Sequence, residues 1–340
     1  MSGERMFFRE AIAMAVREAM QADPRVVVIG QDVGGFGGAY REFDGLFEEF
    51  GAGRVRDTPV SEAACVGVGV GAAAAGLRPL VSITYMDFIL LGLDALVNYG
   101  AKVRYKTAGA LSAPVVVKTT AGAKGQGVSH SQCLEAWLMS VPGLRVVAPS
   151  NVADAYGLMT AALQADGPVV FVDHKKLFPV SGPAPRPGEP TPLGVAAIVR
   201  PGADLTLASH GYMTRIALEA AELLKRQGVD VEVIDLRSLS PLDVDTLSGS
   251  VQRTGRLLTL EEGQITSGVG AEVIARVQER LGPLPSMRVG ALAAPVSSNP
   301  VLEAASIPDP RRVAAAAAAL AQAPRLGADE HAHSEVIADP

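Results

Sequence analysis

Cysteine and aromatic residues are scarce in this chain, and neither sign of charge accumulates. The two cysteines, Cys65 and Cys133, cannot build a disulfide framework, and no C-x-x-C pair is present to hold zinc. They read as two reduced thiols of a cytoplasmic protein. The formal net charge of −6 is spread along the whole length with no basic stripe, which argues against a nucleic-acid-binding surface. No apolar run reaches the roughly 18 residues that a membrane span requires. The opening MSGERMFFRE is charged too early to read as a signal peptide. The Ala run at 314–319 is short and reads as part of a terminal helix.

The catalytic signatures that can be checked are also missing. There is no G-x-S-x-G elbow, no H-E-x-x-H metal helix and no G-K-[ST] phosphate loop. The run GVGVGAAAAG fails the G-x-G-x-x-G dinucleotide pattern because Ala72 takes its sixth position. At 266–273, TSGVGAEV sets Gly268 and Gly270 at a helix start, where free N–H groups could hold an anion. Close helix–sheet packing explains the two glycines as well and is preferred.

What remains is a chain of 340 residues, 48% hydrophobic and rich in Ala and Gly, long enough for two α/β domains with cores of their own. Met6–Met20 has helical spacing with Phe7, Ile12 and Val16 on one face. The β-branched run RVVVIG at 25–30 reads as a buried parallel strand. GGFGGAY at 34–40 reads as a flexible loop. Further strands are expected at Pro79–Ile83, Pro114–Lys118, Leu144–Ala148 and Pro168–Val172, with helices between most of them. This alternation predicts a doubly wound parallel sheet. The Pro- and Gly-rich segment 178–194 cannot be regular structure and reads as an interdomain linker. Strand and helix then alternate again, and a polar tail over 323–340 carries His331 and His333 as solvated side chains.

Three positions stand out. Glu62 opens a helix that Asp57 or Thr58 can cap, with Pro59 in its first turn. Gly67, Gly69 and Gly71 would each cost that helix about 1 kcal/mol relative to Ala, so it needs tight packing and its start should be buried. A buried carboxyl without a partner can keep its proton and donate a hydrogen bond. His130 follows a glycine loop in GQGVSHSQCLEAW, a setting suited to a group that titrates near neutrality. Phe88 follows a strand at its C-terminal end, the edge at which parallel sheets bind ligands. Each also has a plain structural explanation: helix dipole for Glu62, a cap for His130, core for Phe88.

Taken together, GQDVGGFGGAYREFDGLFEEFGAGRVRDTPVSEAACVGVGVGAAAAGLRPL, FILLGLDALVNYGAKVRY, SHSQCLEAWLMSVPGLRVVAPS and VDVEVIDLRSLSPLD resemble the beta subunit of thiamine-diphosphate-dependent 2-oxo acid dehydrogenases, over roughly residues 5–320. The resemblance implies a pyrimidine-binding domain at 1–177, a linker at 178–194, a transketolase C-terminal-like domain at 195–322 and a tail at 323–340. It places the cofactor-activating glutamate on Glu62, the ring that stacks on the pyrimidine on Phe88, the proton-transferring histidine on His130 and an apolar cofactor contact on Val60. In such enzymes the carboxyl bonds a ring nitrogen of the aminopyrimidine, and the imino form so favoured takes the thiazolium proton.

The same likeness implies an alpha subunit carrying the G-D-G motif for magnesium and diphosphate, since no GDG occurs here, and an assembly of two alpha and two beta chains. It assigns this chain no metal ligands of its own. A K⁺ site built from backbone carbonyls, common in such relatives, leaves no side-chain signature. The acyl acceptor would be a lipoyl acyltransferase or an acyl-carrier protein. Some positions depart from the family pattern. Gln31 and Ser82 stand where acids are usual, although Asp94 is kept, and the loop before His130 carries Lys124 and Ser129. These departures keep open a split transketolase-like transferase that moves a two-carbon ketol unit from a ketose phosphate. A noncatalytic scaffold subunit is a third reading.

Overall fold

The computed structural model describes residues 4–326, so the expectations for His331, His333 and most of the tail lie outside the described residues. The chain separates into two compact units. The first runs through Gly194 and takes in Arg237–Pro241 and Pro295–Asn299; the second comprises Val195–Leu236, Leu242–Ala294 and the chain from Pro300 onward.

In the first unit the strands are β1 (Arg5–Phe7), β2 (Val26–Gly30), β3 (Val55–Asp57), β4 (Arg78–Ile83), β5 (Val116–Ala121), β6 (Arg145–Val147), β7 (Val169–His174) and β8 (Ser181–Pro183). Six of them form a parallel sheet in the order β6-β7-β5-β4-β2-β3, and Ser238–Ser240 adds an antiparallel seventh strand beside β6. Every residue of β2, β5 and β7 is buried, as expected of strands covered on both faces. The sequence reading ended the third expected strand at Lys118; β5 continues to Ala121, which puts Lys118 in mid-strand.

Phe8–Ala22 forms the first helix, with Ile12 and Val16 fully buried. Phe7 does not share their face: it belongs to β1 and is exposed, and Phe8 takes the buried position. The segment 178–194 is not wholly irregular. Within it β8 pairs antiparallel with β1, and Thr191 N–H donates to Gly157 O at 3.0 Å. Proline is tolerated there because a two-stranded ribbon is all edge, and an edge leaves N–H positions without an obligatory partner.

The Glu62–Ala74 helix shows why its glycines differ. It buries Cys65, Val66, Gly69, Val70 and Ala73. A Cβ at Gly69 would lie 2.3 Å from Val81 Cγ2 on β4, whereas Gly67 and Gly71 have nothing within 4 Å. Only Gly69 is a packing requirement. Gly69→Ala is expected to destabilise the chain by about 1–3 kcal/mol through overpacking, and Gly71→Ala to stabilise it by up to about 1 kcal/mol through helix propensity. Urea unfolding of the two variants checks this, and equal midpoints would contradict it.

The second unit holds a five-stranded sheet in the order Ser286–Ala291, Leu257–Gln264, Leu205–Ser209, Val231–Asp235, Ala197–Arg200, all parallel except the last. Helices Tyr212–Lys225 and Val269–Leu281 alternate with these strands, and the Ala run falls in Pro310–Ala321. The chain stays attached past 322: Leu326 N–H donates to Gly255 O at 3.1 Å and Arg325 pairs with Asp204 at 2.7 Å.

Candidate active site

The candidate residues gather at one edge of the first unit. Strands β3, β4, β5 and β7 run parallel and end at Asp57, Ile83, Ala121 and His174. The loops that follow carry Val60 and Glu62, then Phe88, then His130, then Lys175. Ligands of open α/β sheets bind outside the carboxyl ends of the strands, and each candidate hangs from a different strand at that edge.

Glu62 begins its helix directly, with Ser61 at the cap position and no side-chain cap. The expected caps are engaged elsewhere: Asp57 Oδ1 accepts from Gly34 N–H at 2.7 Å, and Thr58 Oγ1 lies 3.2 Å from Cys65 Sγ. Pro59 falls outside the helix. The expectation of a buried start is also corrected. Glu62 is half-buried and Ser61, Ala63 and Ala64 are exposed, because this end of the helix turns its Ala and Gly face away from the sheet. Val60, 69% exposed, makes none of the ring contacts described below.

The helix of Glu62 packs along the segment that starts at Phe88. A Cβ at Gly92 would lie 2.5 Å from Val66 Cγ2, and one at Gly100 would lie 3.3 Å from Val70 Cγ2. The two segments therefore run in the same direction, and Glu62 and Phe88, each one turn earlier, stand at the same end. Phe88 and His130 come together directly, with ring centroids 5.3 Å apart at 79°. Tyr85, which sequence reasoning did not single out, meets His130 edge-on at 4.7 Å and 88°, and its hydroxyl accepts from Gln126 Nε2 at 3.0 Å. Phe88 and His130 are both half-buried, so each keeps a face toward solvent.

A buried ionic cluster behind this edge was also missed. Lys118 Nζ, with no solvent exposure, lies 2.5 Å from Glu42 Oε1 and 3.1 Å from Asp173 Oδ2. Glu42 lies just past the 34–40 loop. That loop is pinned rather than flexible: Gly38 N–H donates to Asp32 O at 2.8 Å and Tyr40 N–H donates to Glu42 Oε2 at 2.9 Å. Gly38, at φ +87°, leaves room for that carboxylate, since a Cβ there would lie 2.6 Å from Glu42 Oε2. Burial pushes the Asp173 carboxyl up to about 6, against the opposing pull of Lys118, with Glu42 adding to the rise. A lysine flanked by valine and threonine inside a strand was the signal available in the sequence.

Two other features are not part of this edge. A cavity of about 760 Å³, lined by Arg104, Arg145, Asp166 and Pro241 among others, opens at the start of β6 and β7, the opposite edge of the sheet. In the second unit the TSGVG helix start is occupied by a carboxyl group of the chain's own. Val269 and Gly270 N–H donate to the Glu261 carboxylate at 3.0 and 2.9 Å, and Cβ atoms at Gly268 and Gly270 would meet Glu261 and Thr259. Close packing and occupation of the free N–H groups are thus one arrangement. Among the described residues no group of three or more His, Cys, Asp or Glu could hold a metal ion. No described helix is long and apolar enough to cross a membrane.

The comparisons with known proteins agree with this architecture. Residues 4–181 match the transketolase pyrimidine-binding domain and residues 194–313 the transketolase C-terminal domain. The fold is shared with a split-gene transketolase solved as an inactive beta4 tetramer, at a TM-score of 0.75 and 25% identity over 92% of this chain and 97% of that one. It is shared also with transketolase from Leishmania mexicana, at a TM-score of 0.72 over 97% of this chain and 48% of that one. These define the class, a transketolase-like pair of domains. Among curated proteins, the chain is 44% identical to the pyruvate dehydrogenase E1 component subunit beta-1 of Arabidopsis thaliana, over 81% of this chain and 77% of that one. It is 43% identical to the E1 component subunit beta of Rhizobium meliloti, over 81% and 60%. The chain belongs to the beta-subunit family of thiamine-diphosphate-dependent 2-oxo acid dehydrogenases.

Proposed function

We propose that this protein is the half of the enzyme that receives the pyrimidine end of thiamine diphosphate, and that with an alpha subunit it decarboxylates a pyruvate-like 2-oxo acid and passes the acyl unit to a lipoyl carrier. The observation that carries the reading is the gathering of Glu62, Phe88 and His130 at one strand edge, with the rings of Phe88 and His130 5.3 Å apart. Their chemistry fits the cofactor's pyrimidine. Glu62 is a half-buried carboxyl that forms no hydrogen bond or ion pair among the described residues. Phe88 presents a ring for stacking and Val60 an apolar contact.

Thiamine diphosphate, when bound, supplies the carbon nucleophile that adds to the ketone. Glu62 holds the pyrimidine nitrogen and its proton, Phe88 orients the ring, and His130 moves a proton during acyl transfer. The diphosphate and its Mg²⁺ fall to the alpha partner, because this chain has no GDG. An assembly of two alpha and two beta chains accounts for the outward Ala63, Ala64 and Val68, the last 59% exposed. Neither Cys65 nor Cys133 is in a disulfide, in keeping with a place in the cytoplasm.

A split transketolase-like transferase is the second reading, favoured by the likeness to the split-gene transketolase and by Lys124, exposed in the His130 loop, which could meet a phosphate. Reconstitution with the alpha chain separates the two. Carbon dioxide release from pyruvate with acylation of a lipoyl domain is the expected result. Ketol transfer from a ketose phosphate without decarboxylation would replace the first reading by the second.

A further inference from the structure

Lys175 is a fully buried lysine one residue past the end of β7. Two of its contacts converge on His130. Its Nζ donates to the His130 backbone carbonyl, and the same Nζ lies 5.0 Å from the centroid of the Tyr85 ring. Tyr85 in turn packs edge-on against the His130 imidazole at 4.7 Å and is held from its other end by Gln126. One ammonium thus touches both the backbone of His130 and the ring that supports its side chain.

The sheet explains why it reaches. Ala121 at the end of β5 pairs with His174 at the end of β7, so the loop of 122–130 leaves the sheet next to Lys175. At the start of that loop, Gly122 has φ +88°, and a Cβ there would lie 1.7 Å from His174 Nε2. The beginning of the loop is fixed by steric contact with His174 and its end by the ammonium of the next residue. Both contacts of that ammonium gain strength from burial. A charged donor gives a hydrogen bond roughly twice as strong as a neutral one, and a cation over an aromatic face is worth most when water is excluded.

We propose that Lys175 is a positioning residue for His130, holding both the loop that carries the imidazole and the Tyr85 ring against which the imidazole packs. The proposal rests on the reading of His130 as the proton-transferring group. It asks Lys175 to act on acyl transfer and leaves cofactor activation to Glu62, which opens the helix after a different strand.

The test compares Lys175→Met and Lys175→Arg with the wild type in the full chain. Amide hydrogen exchange is read over 122–131, without cofactor or partner. In Lys175→Met, exchange there is expected to quicken by about tenfold or more, the scale of one charge-assisted hydrogen bond, while the sheet strands keep their protection. With the alpha chain added, the cofactor's thiazolium C2 proton should exchange at the wild-type rate. The turnover number for acyl transfer should fall by about 100-fold, the scale of a small misplacement, with little change in KM. Lys175→Arg, keeping charge and donor, should restore most of both losses.

Unchanged exchange over 122–131 in Lys175→Met would overturn the proposal, and so would a loss of C2 exchange equal to the loss of transfer. If Lys175→Met does not fold, Tyr85→Leu removes the other contact and is expected to give the same separation of C2 exchange from transfer; its absence would overturn the proposal. If the wild-type complex does not turn over a 2-oxo acid, the functional reading fails, while the amide exchange still decides whether Lys175 holds the loop.

Discussion

Glu62→Gln is expected to cripple cofactor activation while leaving the chain folded. The expected fall in turnover of the reconstituted enzyme is about 10²–10⁴-fold, the range for losing a positioned acid–base group. Exchange of the thiazolium C2 proton should fall in parallel, because a glutamine amide cannot exchange a proton with the pyrimidine nitrogen. Stability should move by no more than about 0.5 kcal/mol, as for other substitutions away from the core, since Glu62 is half-buried and its carboxyl forms no hydrogen bond or ion pair among the described residues. Wild-type turnover in this variant would remove the catalytic assignment and leave the scaffold reading in its place.

The second large effect is on stability. Lys118→Met keeps most of the volume but strands Glu42 and Asp173, both buried, without their cation. Breaking a buried ion pair by removing one partner costs about 3–5 kcal/mol, so urea unfolding of the first unit should shift to markedly lower denaturant. Restoring neutrality with Glu42→Gln and Asp173→Asn in the same chain should recover much of the loss. A Lys118→Met chain as stable as wild type would mean that the cluster does not hold the unit together.

The cluster also sets a pH dependence. The folded chain keeps the Asp173 proton up to about pH 6, whereas its ordinary value is 3.8. Folded protein thus binds more protons than unfolded protein between those values. This group's contribution to stability is full below the lower value and is lost as pH rises through the upper one. Asp173→Asn should flatten the stability profile across that window, and an unchanged slope there would refute the assignment.

The parts of the fold that were legible are those in which one local pattern decides the outcome. Val26–Gly30 is buried on both faces, so its β-branched run needs no alternation to be read as a strand. The same holds for β5 and β7. Phe88 stood out as a candidate because it follows such a strand, and His130 because it follows a glycine loop. What escaped depends on residues far apart in sequence. The β1–β8 ribbon joins Arg5–Phe7 to Ser181–Pro183, and composition alone marks the second partner as irregular. Glu42, Lys118 and Asp173 come from a glycine loop and two strands; ending the strand at Lys118 hid the one local clue. The expected caps of the Glu62 helix failed because Asp57 is taken by Gly34, a contact set by the fold of the neighbouring loop. Lys175 shows no local signal at all, since the His130 carbonyl and the Tyr85 ring that it meets lie on the loops after β5 and β4.

An edge that hangs each candidate residue after its own strand has a consequence for how such an enzyme diversifies. The loop of 122–130 can gain or lose residues, or acquire a Lys124, without disturbing the register that holds Phe88 and Glu62 in place. The sheet is in this sense a fixed chassis, and the loop is a replaceable fitting. The freedom has one limit: any variant of that loop must still return a carbonyl to Lys175 and leave Gly122 bare beside His174. Descendants of this chain would be expected to vary most between those two anchors and least at them.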